Sequence, residues 1–240
     1  MGVGVMSALS LPMQRAYAAL VTITGNEFDV VYATSRLGLF DAPTLVGTNL
    51  FFTPTAFAAQ SINGAGTATT ASFADGIQII AHPGYVFGTL SVAALGDYQM
   101  QGSGSSVGVS GTVTAADDAK PLTQTIANMV ITPALLNIAD GAVHDWYGLA
   151  TIDDSTPTVT PGHNPWLAGA STVDLGLQNT LTATTQPGPG AQQAFIQEKF
   201  SGVEVFIDPV AVPVPAAVWL LGSGLGVFAA ARRRKAASRG

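Results

Sequence analysis

Alternation of apolar with small or hydroxyl-bearing side chains at every second residue constrains the fold of this chain more than any other feature. It is clearest over residues 106–114, where Val107, Val109 and Val113 are separated by Ser, Gly or Thr. Successive side chains of a strand point to opposite faces, so this period predicts strands with one buried face and one wet face. Helical periodicity is scarce before residue 210, and the sequence therefore predicts an all-β body.

Candidate strands recur along the chain with Gly, Pro or Asn turn signals between many of them. Turns are expected at Gly25-Asn26, Asn63-Gly64 and Pro83-Gly84. Many short strands at regular spacing predict a jelly-roll-like β-sandwich over residues 19–209. The candidate strands are 20–24, 28–33, 49–53, 68–73, 76–81, 86–94, 106–114, 128–132, 143–152, 171–177, 181–185, 195–200 and 203–207.

The charge of this body is strongly one-sided. Residues 19–209 contain three cations and all fifteen carboxylates of the chain, a net charge of −12. Such a surface repels nucleic acid phosphates, so no nucleic-acid partner is expected. The chain contains no cysteine, which excludes disulfides, thiolate metal sites and cysteine nucleophiles.

Residues 1–18 have features of a secretory signal peptide. The first thirteen residues are apolar and small, and Ala16-Tyr17-Ala18 has the A-x-A form of a signal-peptidase site, so cleavage is expected after Ala18. No Lys or Arg precedes Arg15, so we expect the true start of the protein to lie upstream. A buried strand or loop over the same residues is the alternative.

Residues 210–240 combine a Pro-containing stretch, an apolar run and a basic cluster. No charged residue occurs over 210–231, and a bilayer-spanning helix needs about 20 mainly apolar residues. Pro is tolerated only in the first helical turn, so we predict a transmembrane helix from near Pro215 to near Ala231. A buried core helix is the alternative, against which four consecutive cations argue. These cations hold the C-terminus on the cytoplasmic side in this interpretation: Arg232, Arg233, Arg234 and Lys235.

Three residues within the apolar run fit a membrane anchor. Trp219 lies near the end opposite the cations, where amphipathic aromatic rings favour the membrane interface. Gly222 and Gly226 form a small-xxx-small pair that allows another helix to approach closely.

The three-part tail resembles a PEP-CTERM sorting signal of the VPLPA type. Val214 stands where the PEP form has Glu and the VPLPA form has Leu. The resemblance implies processing by an exosortase, a membrane-embedded cysteine peptidase or transpeptidase, and delivery to the cell surface or an extracellular matrix, where exopolysaccharide is a partner to expect. The motif consists of Val212, Pro213, Val214, Pro215 and Ala216.

The body contains weak candidates for catalysis. Gly104-Ser105-Ser106-Val107-Gly108 matches the G-x-S-x-G nucleophile elbow, but that motif needs a helix after it, and an alternating strand follows here. A Gly/Ser hairpin turn is the better interpretation. His82, His144 and His163 lack metal-binding spacing. His144-Asp145 beside Asp140 could contribute to a metal or proton-transfer site, but neighbouring residues of a strand point to opposite faces, so a surface or core histidine is the better interpretation of each. We expect no catalytic residue.

Two acidic pairs, Asp117-Asp118 and Asp153-Asp154, have calcium-ligand chemistry but lack a D-x-D-x-D-G ladder. Solvated acidic turns explain them better, so we expect no metal and no cofactor.

The aromatic residues leave a second function open. Jelly rolls often bind sugars, and exposed rings provide stacking platforms, although core packing explains the same residues equally well. The alternation at Trp146-Tyr147 predicts that one ring is buried and the other exposed. The candidate rings are Tyr85, Tyr98, Trp146, Tyr147 and Trp166.

The sequence thus predicts an exported, non-catalytic surface or extracellular-matrix protein whose body has an unassigned molecular activity. The alternative is a secreted carbohydrate-binding or carbohydrate-active protein. The C-terminal helix would anchor the chain in the membrane either transiently, before exosortase processing, or permanently without it.

Overall fold

The computed structural model describes residues 19–117, 120–153, 156 and 170–209. The predicted signal peptide at 1–18 and the predicted sorting tail and transmembrane helix at 210–240 lie outside these ranges. Within them the chain is all-β, with one short 3-10 turn at Thr34–Arg36. No helix among the described residues has the length and apolarity needed to cross a membrane.

The strands of the described region are defined in chain order. They are β1 (Leu20–Thr24), β2 (Phe28–Ala33), β3 (Thr44–Val46), β4 (Asn49–Phe52), β5 (Ala58–Ile62), β6 (Gly66–Ala81), β7 (Tyr85–Gln101), β8 (Ser105–Asp117), β9 (Lys120–Asn128), β10 (Val130–Thr132), β11 (Asp140–Ile152), β12 (Thr172–Thr185) and β13 (Gln193–Pro209).

These strands form two sheets. The first sheet has six strands in the order β1-β2-β6-β12-β8-β9, and the second has seven, in the order β10-β11-β7-β13-β4-β3 with β5 also paired to β13. Neighbouring strands of the first sheet are antiparallel, as are β10–β11 and β11–β7 in the second. Consecutive strands change sheet repeatedly along the chain: at β2 to β3, β5 to β6, β6 to β7, β7 to β8, β9 to β10, β11 to β12 and β12 to β13. Together, the two sheets form a β-sandwich.

The core lies between the inward faces of the two sheets. Both sheets contribute β-branched and leucine side chains at alternate positions, and each of the following is at most 1% exposed. The first sheet contributes Val30, Ile77, Ile79, Val173 and Leu175, and the second contributes Leu50, Leu90, Val92, Ile196 and Val203.

Several predicted strands are shorter than the observed ones. The predicted split of 68–73 from 76–81 is wrong, because β6 continues through a β-bulge. At this bulge Asp75 and Gly76 together oppose the single residue Gly176 of β12. Gly76 has a φ of 62°, a conformation that favours glycine, and Asp75 accepts a hydrogen bond from Arg36 at 2.8 Å.

The predicted splits at 177–181 and 200–203 are likewise wrong, since β12 and β13 are continuous. Strands β3, β5 and most of β9 are absent from the prediction. The predictions for β1 and β2 are confirmed at both ends.

The turn at Gly104 is confirmed, but it joins strands of different sheets, whereas the sequence favoured a hairpin. Strand β8 begins at Ser105, directly after the turn. A nucleophile elbow requires a helix at that position. Of the G-x-S-x-G match, therefore, only Gly104 belongs to the connection between the two sheets, and its other four residues lie in β8.

Candidate functional site

The outer face of the second sheet carries a group of exposed apolar side chains from three adjacent strands. Val130 of β10 opposes Leu149 of β11, and Leu149 opposes Ala93 of β7. In the next row Thr132, Tyr147 and Leu95 oppose one another in the same order. We call this group, together with the half-buried Ala93 and Thr132 at the same register positions, the apolar face: Ala93, Leu95, Val130, Thr132, Tyr147 and Leu149.

Strand alternation explains which side of the sheet each β11 residue faces. It does not explain why the side that faces solvent carries apolar side chains. Trp146 is 1% exposed and Tyr147 is 53% exposed, which confirms the predicted burial of one ring and exposure of the other. Val130 is 70% exposed and Leu149 is 49% exposed. Single exposed apolar residues are common, whereas a contiguous group indicates a contact surface.

Three depressions of the surface meet at this face. A cleft of about 480 Å³ is lined by Leu95, Pro133 and Tyr147 among others, and a second, of about 550 Å³, is lined by Val130, Tyr147 and Leu149. A third, of about 160 Å³, contains Leu149 and the ring of Phe200. Tyr147 lines both large clefts and Leu149 joins the second to the third, so the depressions form one continuous surface across the sheet.

One end of the apolar face is polar. Asp145 opposes Asp97 on the neighbouring strand. The Asp97 side chain is buried, and it accepts hydrogen bonds from the Gln197 amide at 2.8 Å and from the Lys199 ammonium. Lys199 also lines the 480 Å³ cleft. The ion pair between Asp97 and Lys199 neutralises a charge directly beside the apolar face.

Packing on the buried side of the same strands fixes the position of the apolar face. Trp146 packs against Gly96 of β7, and its indole N–H donates to the Gln197 carbonyl at 3.2 Å. A Cβ atom at Gly96 would overlap that carbonyl oxygen, so only glycine fits there. This packing fixes β11 against β7 and β13 beneath the exposed Tyr147.

The candidate histidines form two separate pairs. His82 contacts Asp29 at 3.0 Å, and this hydrogen bond raises the pKa of His82 above its ordinary value. His144 contacts Asp140 at 2.9 Å, and this hydrogen bond lowers the pKa of Asp140. Asp29 belongs to the first sheet and Asp140 to the second, so the structure does not bring the pairs together. His163 lies outside the described residues.

The acidic pairs do not form a cation site in the described part of the chain. Asp117 is 2% exposed, so the expectation of a solvated turn is wrong for this residue. Strand β8 extends to Asp117, which shares the inward side of Val113 and Ala115. Asp153 accepts a hydrogen bond from Thr156 at 3.1 Å. The other member of each pair, Asp118 or Asp154, lies outside the described residues.

Metal-binding side chains are not clustered in the ranges that the structure describes. There, no group of three or more His, Asp or Glu residues could hold a metal ion.

The candidate aromatic rings are divided by burial. Tyr98 and Trp146 are core residues at 1% exposure each, and Tyr85 is half-buried. Trp166 lies outside the described residues. Of the five candidate rings, Tyr147 is thus the exposed one among those that the structure describes.

Sequence reasoning missed a buried carboxyl group, Glu198 on β13. It is 2% exposed and accepts hydrogen bonds from the Asn179 amide at 2.8 Å and the Ser201 hydroxyl at 2.6 Å. Asn179 belongs to β12, so this contact joins the two sheets. Burial raises the pKa of Glu198 to about 7. Its position at even spacing from the inward residues Ala194 and Ile196 is the sequence signal that would have found it.

Comparisons with known proteins do not identify a family. No protein-family model and no curated protein matches the chain. Among solved structures, the chain is similar to one from infectious bursal disease virus, Gx strain, with 13% identity, a TM-score of 0.34, and coverage of 71% of this chain and 35% of that one. This chain thus spans about a third of the length of that viral chain.

Two further solved structures show weaker similarity. An agarase has 10% identity and a TM-score of 0.17, with coverage of 80% of this chain and 24% of that one. A lipoprotein from Bacteroides thetaiotaomicron has 9% identity and a TM-score of 0.19, with coverage of 70% and 92%. These similarities carry no argument about activity.

Proposed function

We propose that this protein is an exported surface or extracellular-matrix component whose C-terminal tail is processed by an exosortase. The order of the three tail signals carries the proposal: Val212-Pro213-Val214-Pro215, then the apolar run, then Arg232 to Lys235. The end of the folded body supports it, because β13 ends at Pro209, directly before the tail.

The body is proposed to be a jelly-roll-like sandwich that acts by binding. Repeated passage of the chain between the two sheets supports this topology. The contact surface in this proposal is the apolar face, which combines exposed side chains with continuous shallow clefts.

Replacement of both Pro213 and Pro215 by Ala tests the sorting proposal. The prolines lack an N–H and restrict the residues before them, so they keep the motif extended, as a peptidase requires. With Ala, the helix extends through the motif. We expect the variant to accumulate at full length in the membrane fraction, whereas the parent is trimmed. Mass spectrometry of fractionated cells with and without an exosortase measures this.

Neutral replacement of the basic cluster is the matched control, because it damages the same tail in another way. Loss of Arg232, Arg233, Arg234 and Lys235 removes the charges that stop transfer, so the chain is expected in the periplasm or medium with its tail uncut. Trimming and release of the proline variant at the parent's level would contradict the proposal.

The alternative function, carbohydrate binding, is supported by the exposed ring of Tyr147 between two clefts. Under this alternative, neutral polysaccharides retard the native protein in affinity electrophoresis and Tyr147→Ala abolishes the retardation, because the stacking platform is lost. Phe73→Ala is the matched control, since Phe73 is 50% exposed on the outer face of the first sheet. Equal retardation of the two variants would exclude the apolar face as the sugar site.

A further inference from the structure

We propose that the outer face of the second sheet binds a cationic polysaccharide, a chain of amino-sugar units with free ammonium groups. The inference rests on the alternative function above, carbohydrate binding, and names the class of sugar. It is carried by two exposed carboxylates, by the aromatic rings of the same surface and by the charge of the whole body.

Two exposed carboxylates line the continuous surface to which the apolar face belongs. Asp145 lines the cleft of about 480 Å³ together with Tyr147. Glu204 lines the depression of about 160 Å³ together with Leu149 and Phe200. Among the described residues, none forms a hydrogen bond or an ion pair with either carboxylate. Both carboxylates are therefore available to a cation from outside the chain.

The cation that lines this surface already has a partner. Lys199 lines the same cleft as Asp145, but its ammonium group pairs with the buried carboxylate of Asp97. Apart from Lys199, Asp145 and Glu204, the described residues that line the three depressions are uncharged. The surface thus presents a negative charge that no cation of the described chain compensates.

The charge of the whole body favours a cationic partner over an acidic or a neutral one. Residues 19–209 carry a net charge of −12, and a field of one sign raises the local concentration of ligands of the opposite sign. The same field repels acidic polysaccharides and anionic lipids. Because salt screens interactions between exposed charges, binding of a cationic chain is expected to weaken as the salt concentration rises.

The surface repeats one pairing of an aromatic ring with a carboxylate. Asp145 and Tyr147 lie two residues apart on the same side of β11, which places them about 7 Å apart along the strand. Glu204 shares its depression with the half-buried rings of Phe51 and Phe200, whose centroids lie 5.4 Å apart. A polymer whose every unit carries a pyranose ring and an ammonium group matches this repeated pairing.

A sugar chain fits this surface better than a basic peptide. Extended peptides gain affinity from main-chain hydrogen bonds to the edge of a sheet. Strands β7 and β11 lie inside the second sheet, so each is paired on both sides and offers a peptide no such bonds. A pyranose ring presents a C–H face that packs on the Tyr147 ring. For its hydroxyl groups, Thr132 and Asn49 lie in the same depressions.

Isothermal titration calorimetry of the purified full chain in a neutral detergent tests the proposal. The ligands are a glucosamine hexamer, at mildly acidic pH where its amino groups are protonated, and the fully N-acetylated hexamer, which has the same backbone without the charges. We expect the glucosamine hexamer to bind about tenfold more tightly at low salt, and Asp145→Asn to lower its affinity about fivefold. Glu27→Gln is the matched control, because it removes one carboxylate from the turn between β1 and β2 of the other sheet.

Four results would overturn the proposal. Equal, measurable affinities for the two hexamers would do so and leave the carbohydrate-binding alternative standing, whereas absence of binding to either hexamer would overturn both. Equal losses from Asp145→Asn and Glu27→Gln would show a response to overall charge without a site. Hexalysine that binds as tightly as the glucosamine hexamer, with the same loss in Asp145→Asn, would assign the surface to basic peptides. None of these measurements depends on tail processing, so the sorting proposal is tested separately.

Discussion

Trp146→Ala is expected to lower the free energy of unfolding by about 3–5 kcal/mol. The indole is 1% exposed and packs against Gly96, so its removal leaves a cavity. Gly96 has no side chain that could fill this cavity. The Gln197 carbonyl also loses the indole N–H donor at 3.2 Å. Urea unfolding followed by far-ultraviolet circular dichroism measures the change without depending on tryptophan fluorescence.

The control for this substitution is the next residue in the chain. Tyr147 is 53% exposed, and Tyr147→Ala is expected to change the free energy of unfolding by within about 0.5 kcal/mol. The difference between these neighbours follows from strand alternation, which buries the first side chain and exposes the second. Similar losses from both substitutions would mean that β11 does not present its faces as described.

Alternation predicted the two-faced strands well, because the side-chain period of a strand is a local property. Alternation alone assigns Trp146 and Tyr147 to opposite faces of the sheet. Strand ends were less predictable where Gly or Asp occurs within a strand. At Asp75-Gly76 the local residues favour a turn, but pairing with β12 and the contact to Arg36 convert it into a bulge. That outcome depends on residues distant in sequence.

The candidate surface was only partly predictable. The sequence indicates that Tyr147 and Leu149 share a side of β11, but not that Val130 and Leu95 lie beside them. Those neighbours follow from the registers of β10 and β7 with β11, which join residues about 20 and about 50 positions apart in the chain. The turn between β7 and β8 was recognised locally, whereas its role as a link between sheets depends on the partners of both strands.

For Glu198, too, the sequence indicates the buried side of the strand but not the residue that it contacts. Its place on the inward side of β13 is readable from Ala194 and Ile196. Its partner Asn179 comes from the opposite sheet, and no local pattern links the two residues. The consequence for stability is large enough to measure.

Glu198→Gln is expected to remove a pH dependence of stability worth about 3 kcal/mol. Burial raises the pKa of Glu198 from 4.5 to about 7 in the folded protein. Between these values the folded state retains a proton that the unfolded state has released, so the free energy of unfolding falls as pH rises. The contribution is complete below pH 4.5 and is lost as pH approaches 7.

Glutamine reproduces the protonated acid at this position. Its carbonyl oxygen can accept from Asn179, and its amide can donate to the Ser201 hydroxyl. We would measure urea unfolding of native protein and variant from pH 4 to 8, because their difference cancels the other carboxylates. The variant should become increasingly more stable than the native protein as pH rises. Glu204→Gln, an exposed change on the same strand, should leave the native curve unaltered. Parallel curves for Glu198→Gln and native protein would show that the pKa of Glu198 is the same in the folded and unfolded states, and would contradict the prediction.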